Sequence, residues 1–231
     1  MSRAYLAFTE KGMALAHRLA RVLPGSVSRC GAGGVRLAEW TSMQFAQADA
    51  LIFVGAVGIA VRAIAPHCKS KATDPAVVVL DECGRFAVPL LSGHLGGANA
   101  LARALAEACG AIPVITTATD ANGVFAVDEW AKAQGCAVLE PERIKLVSGA
   151  LLAGHTVRLT SDWPVQGTPP AGVDPARTPA EAHLRQRGRQ AVQPRLLRDG
   201  HRLRVHAGAV DPRSGVGCHH RHGHRLVGTG A

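Results

Sequence analysis

The chain has 231 residues, of which 47% are hydrophobic and 19% charged. That composition excludes a disordered polypeptide, and the length suffices for one large domain or two small ones without disulfides or metals to hold them. The formal net charge of +9 sits almost wholly at one end: residues 1–175 hold 15 Lys and Arg against 14 Asp and Glu, whereas 176–231 hold 11 against 3. A nearly neutral body argues against nucleic acid as its partner.

The longest apolar run, 50–61, stops after twelve residues at Arg62. A membrane-spanning helix needs roughly 18, so no membrane partner is expected. The N-terminus lacks the apolar core of a secretory signal. The six cysteines form no C-x-x-C pair, which suits reduced thiols in a cytoplasmic protein with no zinc site.

Taken in order, residues 4–8 read as a strand and 12–23 as a helix, with Leu15, Leu19 and Leu23 on one face. Residues 50–54 read as a buried parallel strand. Gly55 and Gly58 then open a short helix that ends at Pro66. A second buried strand covers 76–81, and a short one 86–90 after Gly84. The glycine-rich turn 92–97 precedes a helix over 98–109, whose stripe is Leu101, Leu105 and Cys109. A further strand covers 112–117. This alternation predicts an α/β N-terminal domain over 1–136: a parallel sheet with helices on both faces and 50–54, 76–81 and 112–116 at its centre.

A small middle α/β segment is expected over 137–175, with a helix at 141–153 and a strand at 155–160. From 176 onward Phe, Trp, Tyr, Ile, Lys and Met vanish while eleven Arg and seven His accumulate. Residues 176–231 are expected to form a poorly structured basic tail. Three readings of it stand: a nucleic-acid arm, a His/Cys metal tract, or a stretch read out of frame, which the abrupt loss of residue types favours.

The usual signatures are missing. There is no G-x-x-x-x-G-K-[ST], no G-x-S-x-G and no H-E-x-x-H, and GAGG at 31–34 does not extend to G-x-G-x-x-G. Three loops remain. In 54–62, Gly55 and Gly58 permit close backbone approach, or make a plain strand-to-helix turn, and Arg62 grips a carboxylate or is solvated. In 67–75, Lys69 and Lys71 grip anionic groups or form a solvated loop. Asp81 and Glu82 after it either do acid/base work or cap a turn. In 89–102, Gly93, Gly96 and Gly97 surround His94 at a helix start, where an imidazole is a proton shuttle, a hydrogen-bond donor, or a structural group. Ser92 and Asn99 add neutral polar atoms, and Thr117, Thr119 and Asp120 follow the next strand. Because such loops gather at the carboxyl edge of a parallel sheet, His94 is expected in one cleft with Gly55, Gly58 and Asp120.

The strings VGAVGIAVRAIAP, KSKATDPAVVVLDECGRFAVPLLSGHLGGANALA and PVITTATD resemble the N-terminal region of the cobalt-precorrin-5A hydrolases (CbiG) of anaerobic cobalamin biosynthesis. The stretch from about 140 to 173 resembles that family's middle region; its C-terminal domain has no counterpart here. The resemblance implies a hydrolase that opens the δ-lactone of cobalt-precorrin-5A, releasing acetaldehyde to give cobalt-precorrin-5B. The cobalt belongs to the corrinoid substrate, so no cofactor and no protein-bound metal is implied, and other cobalamin-pathway enzymes are the conceivable partners. On this reading Arg62, Lys69 and Lys71 hold substrate carboxylates, His94 with the 93–97 backbone faces the oxyanion, Asp81 or Glu82 handles water, and Asp120 is a further catalytic candidate. The alternatives are a truncated, non-catalytic corrinoid-binding module and a nucleotide-binding α/β protein.

Overall fold

Residues 1–71, 73–133, 136–138, 141–161, 167–175, 195–198 and 201–207 are described by the computed structural model. The chain opens with β1 (Arg3–Ala7) and α1 (Glu10–Val22). Thr9 caps α1 by accepting the Gly12 N–H at 3.0 Å, Glu10 stands in its first turn, and Leu15, Ala16 and Leu19 turn inward. Next come β2 (Ser26–Arg29), α2 (Leu37–Gln47), β3 (Ala50–Val54) and α3 (Val57–Ile64). They are followed by β4 (Ala76–Leu80), β5 (Phe86–Leu91), α4 (Ala98–Cys109) and β6 (Ile112–Pro113).

These strands form a six-stranded sheet in the order β2-β1-β3-β4-β5-β6. Every residue of β3 and β4 is buried because both faces are covered, as their unbroken apolar runs require. Helices α1 and α4 enclose one core, with Leu19, Ile52, Leu80 and Leu105 at its centre. Helices α2 and α3 enclose the other, where Trp40 meets Phe53 edge-on at 5.6 Å.

Two features differ from the sequence expectation. First, β5 runs antiparallel to β4, Leu80 pairing with Ala87 and Val77 with Leu91. The connection between them, 81–85, is far shorter than the dozen or so residues of a parallel crossover. Second, the strand expected over 112–117 is the two-residue β6, which pairs with β5 at the sheet edge, and its Ile112 is 61% exposed. Only 50–54 and 76–80 of the three expected central strands are central.

The chain continues through α5 (Ala118–Ala121), α6 (Val127–Ala133), β7 (Ala137–Val138), α7 (Ile144–Leu152), β8 (Val157–Ser161) and β9 (Val173–Pro175). It ends, among the described residues, with β10 (Arg195–Arg198) and β11 (His201–Ala207). A second sheet has the order β7-β10-β11-β8-β9. Its core joins Val127 and Ala131 of α6 to Ile144, Val147 and Leu151 of α7 and to Val157 and Leu159 of β8.

The second unit therefore takes in α6, which lies inside the 1–136 segment assigned to the first. It also takes in 195–198 and 201–207, strands inside the stretch expected to be a poorly structured tail. β11 lies between β10 and β8, pairing antiparallel with each: main-chain pairing gives an Arg- and His-rich segment a place that its composition does not suggest. The rest of 176–231 lies outside the described residues.

Candidate functional site

The reversal of β5 decides which loops meet. Leu91 stands beside Val77, at the start of β4, and β6 runs parallel to β5. The 92–97 loop and the segment after β6 therefore emerge at the edge where β1, β3 and β4 begin. Gly55, Gly58, Asp81 and Glu82 follow β3 and β4 and lie at the opposite edge. The expected single cleft divides: Asp120 joins His94, and Gly55 and Gly58 do not; Asp81 and Glu82 lie with the glycines.

At the far edge each residue has a local task. Asp81 accepts the N–H groups of Cys83, Arg85 and Phe86 at 3.0, 2.9 and 2.8 Å and so closes the β4–β5 hairpin. Burial would raise its pKa, but those three donors hold it below the usual carboxylate range. Glu82 accepts the Thr9 hydroxyl at 2.7 Å. A Cβ on Gly55 would lie 2.6 Å from the Phe8 ring, so glycine there serves packing. Arg62 turns back to the Gly58 carbonyl at 3.3 Å, away from His94.

At the near edge the loops are fixed by polar contacts. Asp74 accepts the backbone N–H groups of Lys69 and Ser70 at 2.9 and 3.0 Å, leaving the Lys69 and Lys71 residues exposed. The buried Ser92 hydroxyl donates to the Asp74 carbonyl at 2.9 Å, tying this loop to the one that carries His94. Gly97, at φ +89°, starts α4. A Cβ on Gly96 would lie 2.3 Å from Ser92 Cβ and 2.7 Å from the Ser92 carbonyl oxygen, which only glycine avoids.

Asp120 is the hub of the cluster. It accepts hydrogen bonds from Thr117, from Asn99 at 3.1 Å and from Arg103, and its Oδ2 lies 2.8 Å from His94 Nε2. Asn99 also donates to Thr117 at 3.0 Å. The Thr119 hydroxyl is 3.4 Å from the same His94 nitrogen. On the other side of the ring, His94 Nδ1 lies 3.3 Å from Asp128 Oδ1. Arg103 continues to Glu129 at 3.2 Å.

The electrostatics follow. Asp128 pushes the His94 pKa up against the opposing effect of burial, and Asp120 adds to it, giving about 9. Burial works against ionisation of Asp120, but Thr117, His94 and Arg103 outweigh it and bring its pKa to about 2. Both shifts favour the charged forms, an imidazolium at His94 against a carboxylate at Asp120.

Beside the cluster opens a cleft of about 440 Å³ whose lining includes Thr119, Asp120, Phe125, Glu129 and Trp130. His94, Asp120 and Glu129 each bring a ligand atom within 4.8 Å of the other two. However, the Arg103 guanidinium already bridges the two carboxylates, so the charge a metal would bring is present.

Arg103, Asp128 and Glu129 are absent from the sequence reading. Arg103 sits four residues after Asn99, on the same face of α4. Asp128 and Glu129 form the acidic first turn of α6, a helix the sequence reading does not contain.

Residues 39–120 match the family model described as Cobalamin synthesis G N-terminal, and residues 125–206 match the one described as Cobalamin biosynthesis central region. The chain belongs to the cobalamin synthesis G family. A protein of Salmonella typhimurium named cobalt-precorrin-5A hydrolase is 47% identical over 142 residues, covering 56% of this chain and 39% of that protein. One of the same name from Priestia megaterium is 41% identical over 112 residues, covering 48% of this chain and 30% of that protein. The chain thus spans less than half the length of these relatives.

The family regions meet between 120 and 125, across the cluster. His94, Asn99, Arg103, Thr117 and Asp120 come from the N-terminal region, and Asp128 and Glu129 from the central one. The central region also continues to 206, so a departure from the family's pattern at 176, expected where the composition breaks, is not found. Among the described residues no helix is long and apolar enough to cross a membrane.

Proposed function

We propose that this chain takes part in cobalt-precorrin-5A hydrolysis, with the seam cluster as its reacting site. Water adds to the lactone carbonyl and the acyl C–O bond breaks, leaving a carboxylate and a hydroxyl. That hydroxyl then gives up its proton, its carbon's C–C bond to the macrocycle breaks with the electron pair passing to the macrocycle, and the two-carbon fragment departs as acetaldehyde, giving cobalt-precorrin-5B. The observation that carries this reading is the coincidence of two things: likeness to two proteins named cobalt-precorrin-5A hydrolase, and an open cleft beside an ionised His–Asp pair in the matching family region.

The chemistry needs donors for the developing oxyanion and an acceptor for a water proton. The Thr119 hydroxyl lines the cleft as the donor, and His94 Nε2 stands behind it, 3.4 Å away, holding Asp120. Asp120, saturated with donors and acidic, is a poor base and acts instead as the anchor of His94. Glu129, 37% exposed in its side chain and paired with Arg103, takes the acceptor role expected of Asp81 or Glu82. Phe125 and Trp130 offer apolar faces to the macrocycle. Lys69 and Lys71, on the same sheet edge, meet its carboxylates. The cobalt enters with the substrate, and no cofactor of the protein takes part. The reaction is a cytoplasmic one and passes its product to other enzymes of cobalamin synthesis.

The test is incubation with cobalt-precorrin-5A, following binding and acetaldehyde together. Binding with acetaldehyde release is expected. Binding without release favours the second reading, a non-catalytic corrinoid-binding module, which the short span of the chain relative to its relatives supports. Neither binding nor release removes both.

A further inference from the structure

We infer that Asp128 is the positioning residue of this site: its buried carboxylate fixes the His94 ring through Nδ1 and so holds Nε2 on Asp120 and Thr119, the two groups that line the cleft. The inference rests on the proposed function for its catalytic consequence, but its structural part stands alone.

The geometry comes from three elements. Asp128 is 8% exposed, and its Oδ1 has no hydrogen-bond donor aligned on it among the described residues, so the His94 imidazolium 3.3 Å away is its compensation. A buried carboxylate in that situation is stable only beside a cation. The carrier, α6, is packed into the second core: Val127 and Ala131, on either side of Asp128, are 1% and 0% exposed. Leu95, next to His94, packs against that core as well. Ring and carboxylate are therefore anchored to one and the same core.

On the far side of the ring, Nε2 meets Asp120 and Thr119, both of which line the cleft. A buried acid on Nδ1 fixes the orientation of an imidazole and stabilises its cation; here that orientation keeps Nε2 against Asp120 and Thr119, through which the ring reaches the cleft. The charged groups around His94 are Asp120 of α5 and Asp128 of α6 in direct contact, with Arg103 of α4 and Glu129 of α6 one contact further out. The raised His94 pKa, with Asp128 its first cause, agrees with this placement.

Asp128→Asn keeps the shape and removes the charge. In the full chain carrying labelled histidine, with His94→Gln used to assign the resonance, the His94 titration midpoint should fall from about 9 by at least roughly one unit. Turnover of cobalt-precorrin-5A should drop about 100-fold or more with KM little changed, and Asp128→Glu should recover part of both. An unmoved His94 titration would overturn the inference whatever the activity. So would unchanged turnover in a variant of an active parent. If the parent releases no acetaldehyde, the proposed function fails and the titration alone decides the role of Asp128. Should the Asn variant not fold, the Asp128→Glu titration decides: a midpoint moved from the parent's supports the contact, and an identical one removes it.

Discussion

The imidazolium between two aspartates makes stability depend on pH in a direction that can be worked out. The His94 pKa rises from 6.5 to about 9, so the folded state binds this proton more tightly than the unfolded one. Stability from this source is complete below pH 6.5 and is lost as pH rises through 9. The shift corresponds to about 3 kcal/mol, and the His94 side chain is 13% exposed, so water screens little of it. Asp120 behaves in mirror image. Its pKa falls from 3.8 to about 2, giving roughly 2 kcal/mol that is present above 3.8 and lost as pH drops through 2. The two figures share the His94–Asp120 contact and do not add. Urea unfolding followed by tryptophan fluorescence, at pH 6 and pH 9.5, tests the alkaline side. The parent should lose about 3 kcal/mol more than His94→Asn over that interval, since other titrating groups are common to both. Parallel losses in parent and variant would show that His94 is not held as a cation.

Gly96→Ala forces a Cβ to within 2.3 Å of Ser92 Cβ and 2.7 Å of its carbonyl oxygen. Backbone cannot move aside cheaply, so a loss of about 1–3 kcal/mol is expected in thermal unfolding, together with weakened turnover from a displaced His94. Asp81→Ala should cost hairpin stability of about 1–3 kcal/mol, because three N–H groups lose their acceptor, while acetaldehyde release by the folded fraction stays unchanged. Lys69→Ala and Lys71→Ala should weaken corrinoid binding in a salt-dependent way with kcat intact, and Arg62→Ala should leave binding as it was; equilibrium titrations at two ionic strengths would check all three.

Much of the first unit is legible because its signals are local. The boundaries of β3 and α4 coincide with the sequence expectation, since an unbroken Val/Ile/Leu run and a four-residue leucine spacing each specify one answer. Helix α2 is missed because it buries only Trp40 and Thr41, leaving little periodicity. β11 is missed for another reason: the alternation of Leu203, Val205 and Ala207 with Arg and His is a strand pattern, but it is short and lies in a stretch otherwise without aromatic residues or sustained periodicity. In the site, His94, Asn99, Thr117, Thr119 and Asp120 were singled out by proximity to glycines and strand ends, and the structure brings them together. Asp128 and Glu129 were not, because their meeting with His94 depends on how a second core docks on the first, which no single segment encodes.

The antiparallel turn at 81–85 explains why the site lies where it does. In a wholly parallel sheet, ligands sit at the carboxyl edge, where the strand order reverses. Here that reversal falls between β1 and β3. Phe8 covers Gly55 there, Thr9 holds Glu82, and Glu10 pairs with Arg29, so side chains of the protein itself occupy the edge. The hairpin sends β5 and β6 the other way, and their carboxyl ends deliver the 92–97 and 116–120 loops to the edge beside α6. The rule that loops after strands build sites still holds, but strand by strand. Its consequence is that the cluster requires both family regions: removing the central region would take Asp128 and Glu129 from their partners and leave His94 with a single aspartate.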